Sequence, residues 1–297
     1  MADTRSGRVV VSYGREAVVE TNGELARCNL RRSVGRPVCG DYVRWRPAGT
    51  HDGVIESIEL RRNVVARPDY RARLRPLAAN VDLIVIVLAS EPGFTRELVD
   101  RYLVLAESLD IAACLFVNKT DLFDADERRA CEADLADYPK LGYPVHFGSS
   151  YTSEGVDALR RKLAGGTSVL VGQSGVGKSS LVQRLLPDQQ IRIGALSEAS
   201  GLGRHTTTET TLYHLPDGGD LIDSPGIRTL RLGHLDERQI AEGFKEFRPF
   251  AKDCRFADCR HQAEPDCAVA QAARDGHIGM ARLESYRSIL AHETRVF

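Results

Sequence analysis

The chain has 297 residues, seven cysteines, 42% hydrophobic residues and a formal net charge of −1. That length allows two domains and a small third, and the near-neutral charge excludes a protein that is basic or acidic throughout. The odd cysteine count does not suit a disulfide framework. The longest apolar run, Leu83–Ala89, is too short to span a bilayer, and the opening MADTRSGR lacks the apolar stretch of a secretory signal. The expectation is a soluble cytoplasmic protein with no membrane partner.

Residues 8–65 read as short strands and turns. RVVVSYG, EAVVET and DYVRWRP are rich in β-branched and aromatic residues, with Gly, Asn or Pro between them. Their length suits a five-stranded OB-type barrel, here expected over 1–66, which is a surface that can bind RNA. Residues 1–76 hold fifteen arginines and no lysine against nine acids, a local excess that attracts nucleic-acid phosphates. Trp45 and Tyr42 are either core residues or stacking platforms for bases. Residues 67–76, basic and bounded by prolines, read as a linker.

Over 77–232 the pattern changes. VDLIVIVLA is a buried-strand run, and TRELVDRYLVLAESLD is helical, with Leu98, Tyr102, Leu105 and Leu109 at helical spacing and Thr95 as N-cap. Then IAACLFVN (strand), ERRACEADLADY (helix), YPVHFGSS (strand), EGVDALRRKLA (helix), TSVLVGQ (strand) and KSSLVQRLL (helix) alternate. Strands alternating with helices predict a parallel α/β sheet. Residues 233–297 turn helical and polar around a Cys/His cluster.

The chemistry falls at strand ends. Gly172–Ser179 matches G-x-x-x-x-G-K-S between a strand and a helix. Gly172, Gln173, Ser174, Gly175, Val176, Gly177, Lys178, Ser179 and Ser180 form the expected phosphate cradle. Its backbone N–H groups turn onto phosphate oxygens and the helix N-terminus adds a partial positive charge. Lys178 would reach the β- and γ-phosphates, and Ser179 would hold Mg²⁺. Asn118, Lys119, Thr120 and Asp121 spell NKTD after the strand IAACLFV. A carboxylate at Asp121 accepts from the ring N1–H and the exocyclic amine of guanine. Adenine offers neither and would leave the acid unpaired. GSS, Gly148–Ser150, ends another strand and places Ser149 and Ser150 in a second base loop.

DSPG, Asp223–Gly226, follows the strand-like DLI. In this D-x-x-G pattern Asp223 holds Mg²⁺ through water and the Gly226 N–H senses the γ-phosphate. RHTTT, Arg204–Thr208, offers a threonine to Mg²⁺. The sequence leaves the choice among Thr206, Thr207 and Thr208 open, and Thr207 is the candidate. The base reader thus precedes the cradle, where the usual order begins at the cradle. Joining the old ends and cutting after D-x-x-G yields this order, which is a circular permutation. The segment after D-x-x-G then leads straight into the C-terminal block, so loss of the γ-phosphate is expected to move that block directly.

Cys254, Cys259, His261 and Cys267 are spaced C-x4-C-x-H-x5-C. Three thiolates and one imidazole make a closed tetrahedral set, expected to hold one structural Zn²⁺. ARLESYRSILAH, with Leu283, Tyr286 and Leu290 at helical spacing, is expected to pack on that loop.

The permuted order, the β-rich N-terminal block and the late Cys/His cluster together resemble the RsgA (YjeQ) family of ribosome small-subunit-dependent GTPases. The likeness covers nearly the whole chain and rests on AANVD, NKTD, GQSGVGKSS, GLGRHTTT, DSPG and the zinc motif. It implies an OB-fold, a permuted GTPase and a zinc domain. It also implies binding to the immature 30S subunit and its 16S rRNA, with GTP hydrolysis stimulated by that subunit. Ras-type proteins carry a water-positioning Gln just after D-x-x-G, where this chain has Ile227. The resemblance implies His205 as the catalytic replacement beside Lys178; the alternative is a structural or RNA-facing histidine. A nucleotide-dependent RNA switch without a ribosomal activator is the second reading. Nothing in the sequence demands an oligomer, and a monomer is expected.

Overall fold

The computed structural model describes residues 4–13, 16–68, 73–186, 210–223, 232 and 234–293. The first five strands are β1 (Arg5–Ser12), β2 (Glu16–Thr21), β3 (Glu24–Leu30), β4 (Tyr42–Pro47) and β5 (Asp52–Ile58). They pair in the circuit β1–β2–β3–β5–β4 and back to β1, antiparallel except for β3 with β5. This is the closed five-stranded, OB-like barrel that the sequence predicted. Inward residues fill it: Val9, Ala17, Val19, Cys28, Val43, Trp45 and Ile55 form one buried cluster. Between β2 and β3, Asn22 and Gly23 both have positive φ (54° and 83°), the geometry that a two-residue hairpin turn demands.

β6 (Val64–Pro68) and β7 (Leu74–Ala79) form a separate two-stranded hairpin. The stretch 67–76, expected as a linker, therefore carries strand at both ends. Burial explains it: Val65 and Ala78 are fully buried and anchor the hairpin, and Cys39 bridges to Ala78. The prolines are tolerated because a two-stranded ribbon leaves each strand an open edge.

The central sheet is built from β8 (Leu83–Ala89), β9 (Ala112–Asn118), β10 (Val145–Phe147), β11 (Thr167–Val171), β12 (Thr210–His214) and β13 (Asp220–Asp223). Its order is β10–β9–β8–β11–β13–β12, parallel except for β12. β8 and β11 are buried at every position, as strands covered on both faces must be. α1 (Arg96–Ser108), α2 (Ala125–Leu135) and the short α3 (Asp137–Lys140) contribute to the core on one face. α4 (Val156–Leu163) and α5 (Lys178–Leu185) contribute to the core on the other. α1 starts where its cap predicts, with the Leu98 N–H donating to Thr95 Oγ1 over 3.2 Å.

One pairing had no sequence signal. β12 also runs antiparallel to β1, with Val11 opposite Thr211 and Ser12 opposite Thr210, so the barrel and the central sheet share a seam.

After the sheet come α6 (Glu237–Glu242), α7 (Arg248–Ala251), α8 (Ala268–Arg274) and α9 (Met280–Glu293). Phe244, Phe247, Leu283, Tyr286 and Ile289 form their core, which reaches Val104 and Leu105 of α1. Among the described residues no helix is long and apolar enough to cross a membrane.

Candidate nucleotide site and metal centre

β8, β9 and β11 run parallel, so the loops after them emerge at one edge of the sheet. The loop after β11 is the predicted cradle, Gly172–Ser180. Two of its glycines are closely approached: at Gly172, with φ 138°, a Cβ would lie 2.3 Å from the Val87 carbonyl oxygen, and at Gly177, with φ 89°, 2.4 Å from Asn118 Nδ2. Only glycine permits that approach. Lys178 opens α5 and is buried; its Nζ donates to the Gly172 carbonyl over 2.7 Å and to the Gln173 carbonyl. The ammonium is thereby held inside the loop whose backbone it closes. Ser179 and Ser180 follow on the exposed side of the first helical turn.

The NKTD loop touches the glycine-rich loop. Asn118, fully buried at the end of β9, donates from Nδ2 to the Val176 carbonyl over 2.9 Å. Its Oδ1 accepts the Ser150 N–H over 2.9 Å. One side chain thus ties all three loops together, the cradle and both base loops. Lys119 has φ 63° and reaches back to donate from Nζ to the Glu91 carbonyl over 2.9 Å. Glu91, in the loop after β8, is a site residue that no motif marked. The Thr120 N–H donates to the Gly148 carbonyl over 3.2 Å, and the buried Ser149 donates from Oγ to the Asp121 carboxylate. Asp121 itself is exposed and presents its carboxylate at the rim.

Asp223 closes β13, the strand paired with β11, and so stands beside the cradle. His205, Thr206, Thr207, Thr208, Gly226 and Ile227 lie outside the described residues.

The cysteine cluster assembles as its spacing predicted. The ligand atoms of Cys254, Cys259, His261 and Cys267 all lie within 4.8 Å of one another. Cys254 Sγ is 3.6 Å from His261 Nδ1 and 4.0 Å from Cys267 Sγ, and His261 Nδ1 is 3.4 Å from Cys267 Sγ. A tetrahedral ion bonded to sulfur at about 2.3 Å and to nitrogen at about 2.0–2.1 Å needs edges of about 3.8 and 3.6 Å. The donor set therefore fits such an ion. Burial pushes the Cys259 thiol up to about 12, and a cation at the centre would favour its thiolate. α9 braces the loop: the Tyr286 hydroxyl donates to the Arg260 carbonyl over 2.9 Å and Arg287 Nε to the His261 carbonyl over 3.0 Å.

The chain is similar to known proteins. The family model described as RsgA GTPase matches residues 58–233. The small ribosomal subunit biogenesis GTPase RsgA of Chromohalobacter salexigens is 50% identical over 291 residues, covering 96% of this chain and 85% of that protein. The crystal structure of YjeQ from Thermotoga maritima superposes with a TM-score of 0.81 at 31% identity, covering 98% of this chain and 99% of that one. YloQ, described as a circularly permuted GTPase, gives 0.79 at 27% identity, covering 99% and 96%. A permuted sheet, a glycine-rich loop joined to the NKTD loop through Asn118, and a likeness that runs the length of the chain lead to one assignment: the chain belongs to the RsgA GTPase family and is a GTP hydrolase.

Proposed function

We propose that this chain binds the small ribosomal subunit late in its maturation and hydrolyses GTP when that particle stimulates it. The observation that carries the reading is the 50% identity, over 96% of the chain, to a protein named for small ribosomal subunit biogenesis. In this reading Asp121 selects guanine, with Asn118, Lys119, Thr120, Ser149 and Ser150 shaping the base loops. Gly172–Ser180 hold the phosphates, and Ser179, Asp223 and Thr207 hold Mg²⁺ directly or through water. Gly226 senses the γ-phosphate. His205 takes the water-positioning role that Ile227 cannot fill, and Lys178 neutralises charge on the transferred phosphoryl group. The Cys/His set holds one structural Zn²⁺.

In this reading the barrel covers 1–66, the GTPase 77–232 and the zinc domain 233–297, and the stretch 67–76 between the first two carries strand at both ends. The barrel and zinc domain bind 16S rRNA, and the chain acts as a monomer. Tyr42, at 45% exposure with the Arg8 guanidinium 5.3 Å from its ring, supports base stacking on the barrel; Trp45 is buried in the barrel core.

GTP turnover by the purified chain, with and without isolated 30S subunits and with 50S subunits as control, tests the reading. The expected outcome is a slow basal rate raised by 30S alone, by about 10³–10⁵-fold if the particle completes the charge-stabilising site. No stimulation by either particle would remove the ribosome as activator and leave a nucleotide-dependent RNA switch.

A further inference from the structure

β12 is the last strand of the GTPase sheet, and its outer edge is taken by β1 of the barrel. An open strand edge is where a further strand can add through main-chain hydrogen bonds, and here the chain supplies that strand itself. The register of this addition reaches the nucleotide site. The pairing of β13 with β11 is registered at Asp220, Leu221 and Ile222, whereas its pairing with β12 continues to Asp223, which stands opposite Thr211. Thr211 in turn stands opposite Val11 of β1. Val11, Thr211 and Asp223 therefore form one row across the sheet, from the barrel to the carboxylate at the strand end.

Side chains fasten the seam. Cys39 Sγ donates to the Thr210 carbonyl over 2.9 Å. His214 of β12 sits between Asp220 of β13 and Glu20 of β2, at 2.6 and 2.5 Å. Arg8 of β1 reaches both Asp220 and Thr167 Oγ1 of β11. Val10, Val11 and Val18 of the barrel also share one buried core with Leu212 and Ile222 of the GTPase sheet. At the other end of the row, Ser179 comes after β11 and Asp223 ends β13, which are neighbouring parallel strands. Their hydroxyl and carboxylate are the oxygen donors that a hard divalent cation takes.

We propose that the barrel positions Asp223 on Mg²⁺ through β1 and β12, with Val11 and Thr211 as positioning residues. The proposal rests on the reading of Asp223 as a holder of Mg²⁺ and adds what holds Asp223. A tight seam keeps the carboxylate in place. A loosened seam weakens Mg²⁺ at the nucleotide and leaves base recognition unchanged, because the base loops follow β9 and β10 at the opposite side of the sheet. Coupling between two sites is reciprocal, so Mg²⁺ bound with the nucleotide also tightens the seam.

Calorimetric titration of the full chain with a non-hydrolysable GTP analogue, in Mg²⁺ and in EDTA, tests this. In the double variant Glu20→Gln with His214→Gln, the gain in analogue affinity that Mg²⁺ brings should fall at least about fivefold, while affinity in EDTA stays within about twofold of wild type. Asp223→Asn should lose the gain with the seam intact. Hydrogen exchange of the wild-type chain reads the converse: with the analogue bound, Mg²⁺ should slow exchange in β1 and β12 relative to EDTA. If Asp223→Asn keeps the full gain, the reading of Asp223 falls and the proposal with it. If Asp223→Asn loses the gain while the double variant keeps it, the reading of Asp223 stands and the seam proposal falls. If the double variant loses affinity equally in Mg²⁺ and in EDTA, the fold has loosened generally and the proposal is overturned. Should the double variant fail to fold, exchange in the wild type decides, and no slowing across the seam overturns the proposal.

Discussion

Asn118 shows what a motif letter stands for physically. Its amide donates to the Val176 carbonyl in the cradle and accepts from the Ser150 N–H in the second base loop. Asn118→Ala leaves both backbone groups without that partner, at about 1–3 kcal/mol for each that stays buried. GDP affinity should fall at least about tenfold and the urea midpoint should drop, read by calorimetry and denaturation on the same preparation. A lower midpoint with unchanged GDP affinity would make Asn118 a scaffold residue only. The four letters NKTD were legible because they are contiguous. The partner at Val176 was not, because it lies far along the chain and only the sheet brings it near. Glu91 was invisible for another reason: it acts through its carbonyl, which every residue has.

Elements show the same division. Helices and strands of the central sheet were readable from periodicity, because burial on one or two faces writes itself into the residue pattern. Of the five strands expected in the barrel, β3 and β5 were not marked individually although Asn22–Gly23 is a strong hairpin signal before β3, and the β12–β1 seam left no pattern at all. At that seam His214 Nδ1 lies 2.6 Å from Asp220 Oδ1, and Nε2 lies 2.5 Å from Glu20 Oε2 in β2; Arg8 of β1 pairs with the same Asp220. Hydrogen bonds to Asp220 and Glu20 raise the His214 pKa from 6.5 to about 9, since the charged ring donates to both. A raised pKa means that the seam's contribution is complete below about 6.5 and is lost as the pH climbs through about 9. Between pH ~7 and ~9.5 the wild-type thermal midpoint should therefore fall further than that of His214→Gln; equal slopes would remove His214 as the source. The metal loop makes a separate prediction. Chelation or Cys259→Ser should abolish a stoichiometric zinc signal and raise hydrogen exchange in α8 and α9, because the loop between Cys254 and Cys267 has little apolar core without the ion. GDP binding should persist, since the cradle and base loops share no residue with that core.

At the scale of the whole molecule, the question is what holds the C-terminal block on the GTPase. The sequence pointed to the residues after DSPG, most of which lie outside the described residues. The fold supplies a second attachment, in which α9 packs on α1 across a buried ionic seam. Arg282 has a side-chain exposure of 2%, pairs with Asp100 at 0% and, from Nε at 2.6 Å, with Glu246 at 7%. Its guanidinium also lies 4.5 Å from the Phe244 ring centroid, and the Tyr138 hydroxyl donates to Asp100 over 2.8 Å. No sequence pattern could announce this. Asp100 and Arg282 each look like solvent-side charges on an amphipathic helix until the two helices meet.

Breaking such a pair and replacing it have opposite consequences. Arg282→Met alone leaves two buried carboxylates without their cation and should cost about 3–5 kcal/mol in urea unfolding, with the loss shrinking at low pH as Asp100, whose pKa burial raises, takes up a proton. The triple replacement Asp100→Leu, Glu246→Leu and Arg282→Met removes every charge and should recover most of that stability. If the single variant is as stable as wild type, the seam contributes no net stability and the C-terminal block is held by its apolar contacts with Val104 and Leu105 instead.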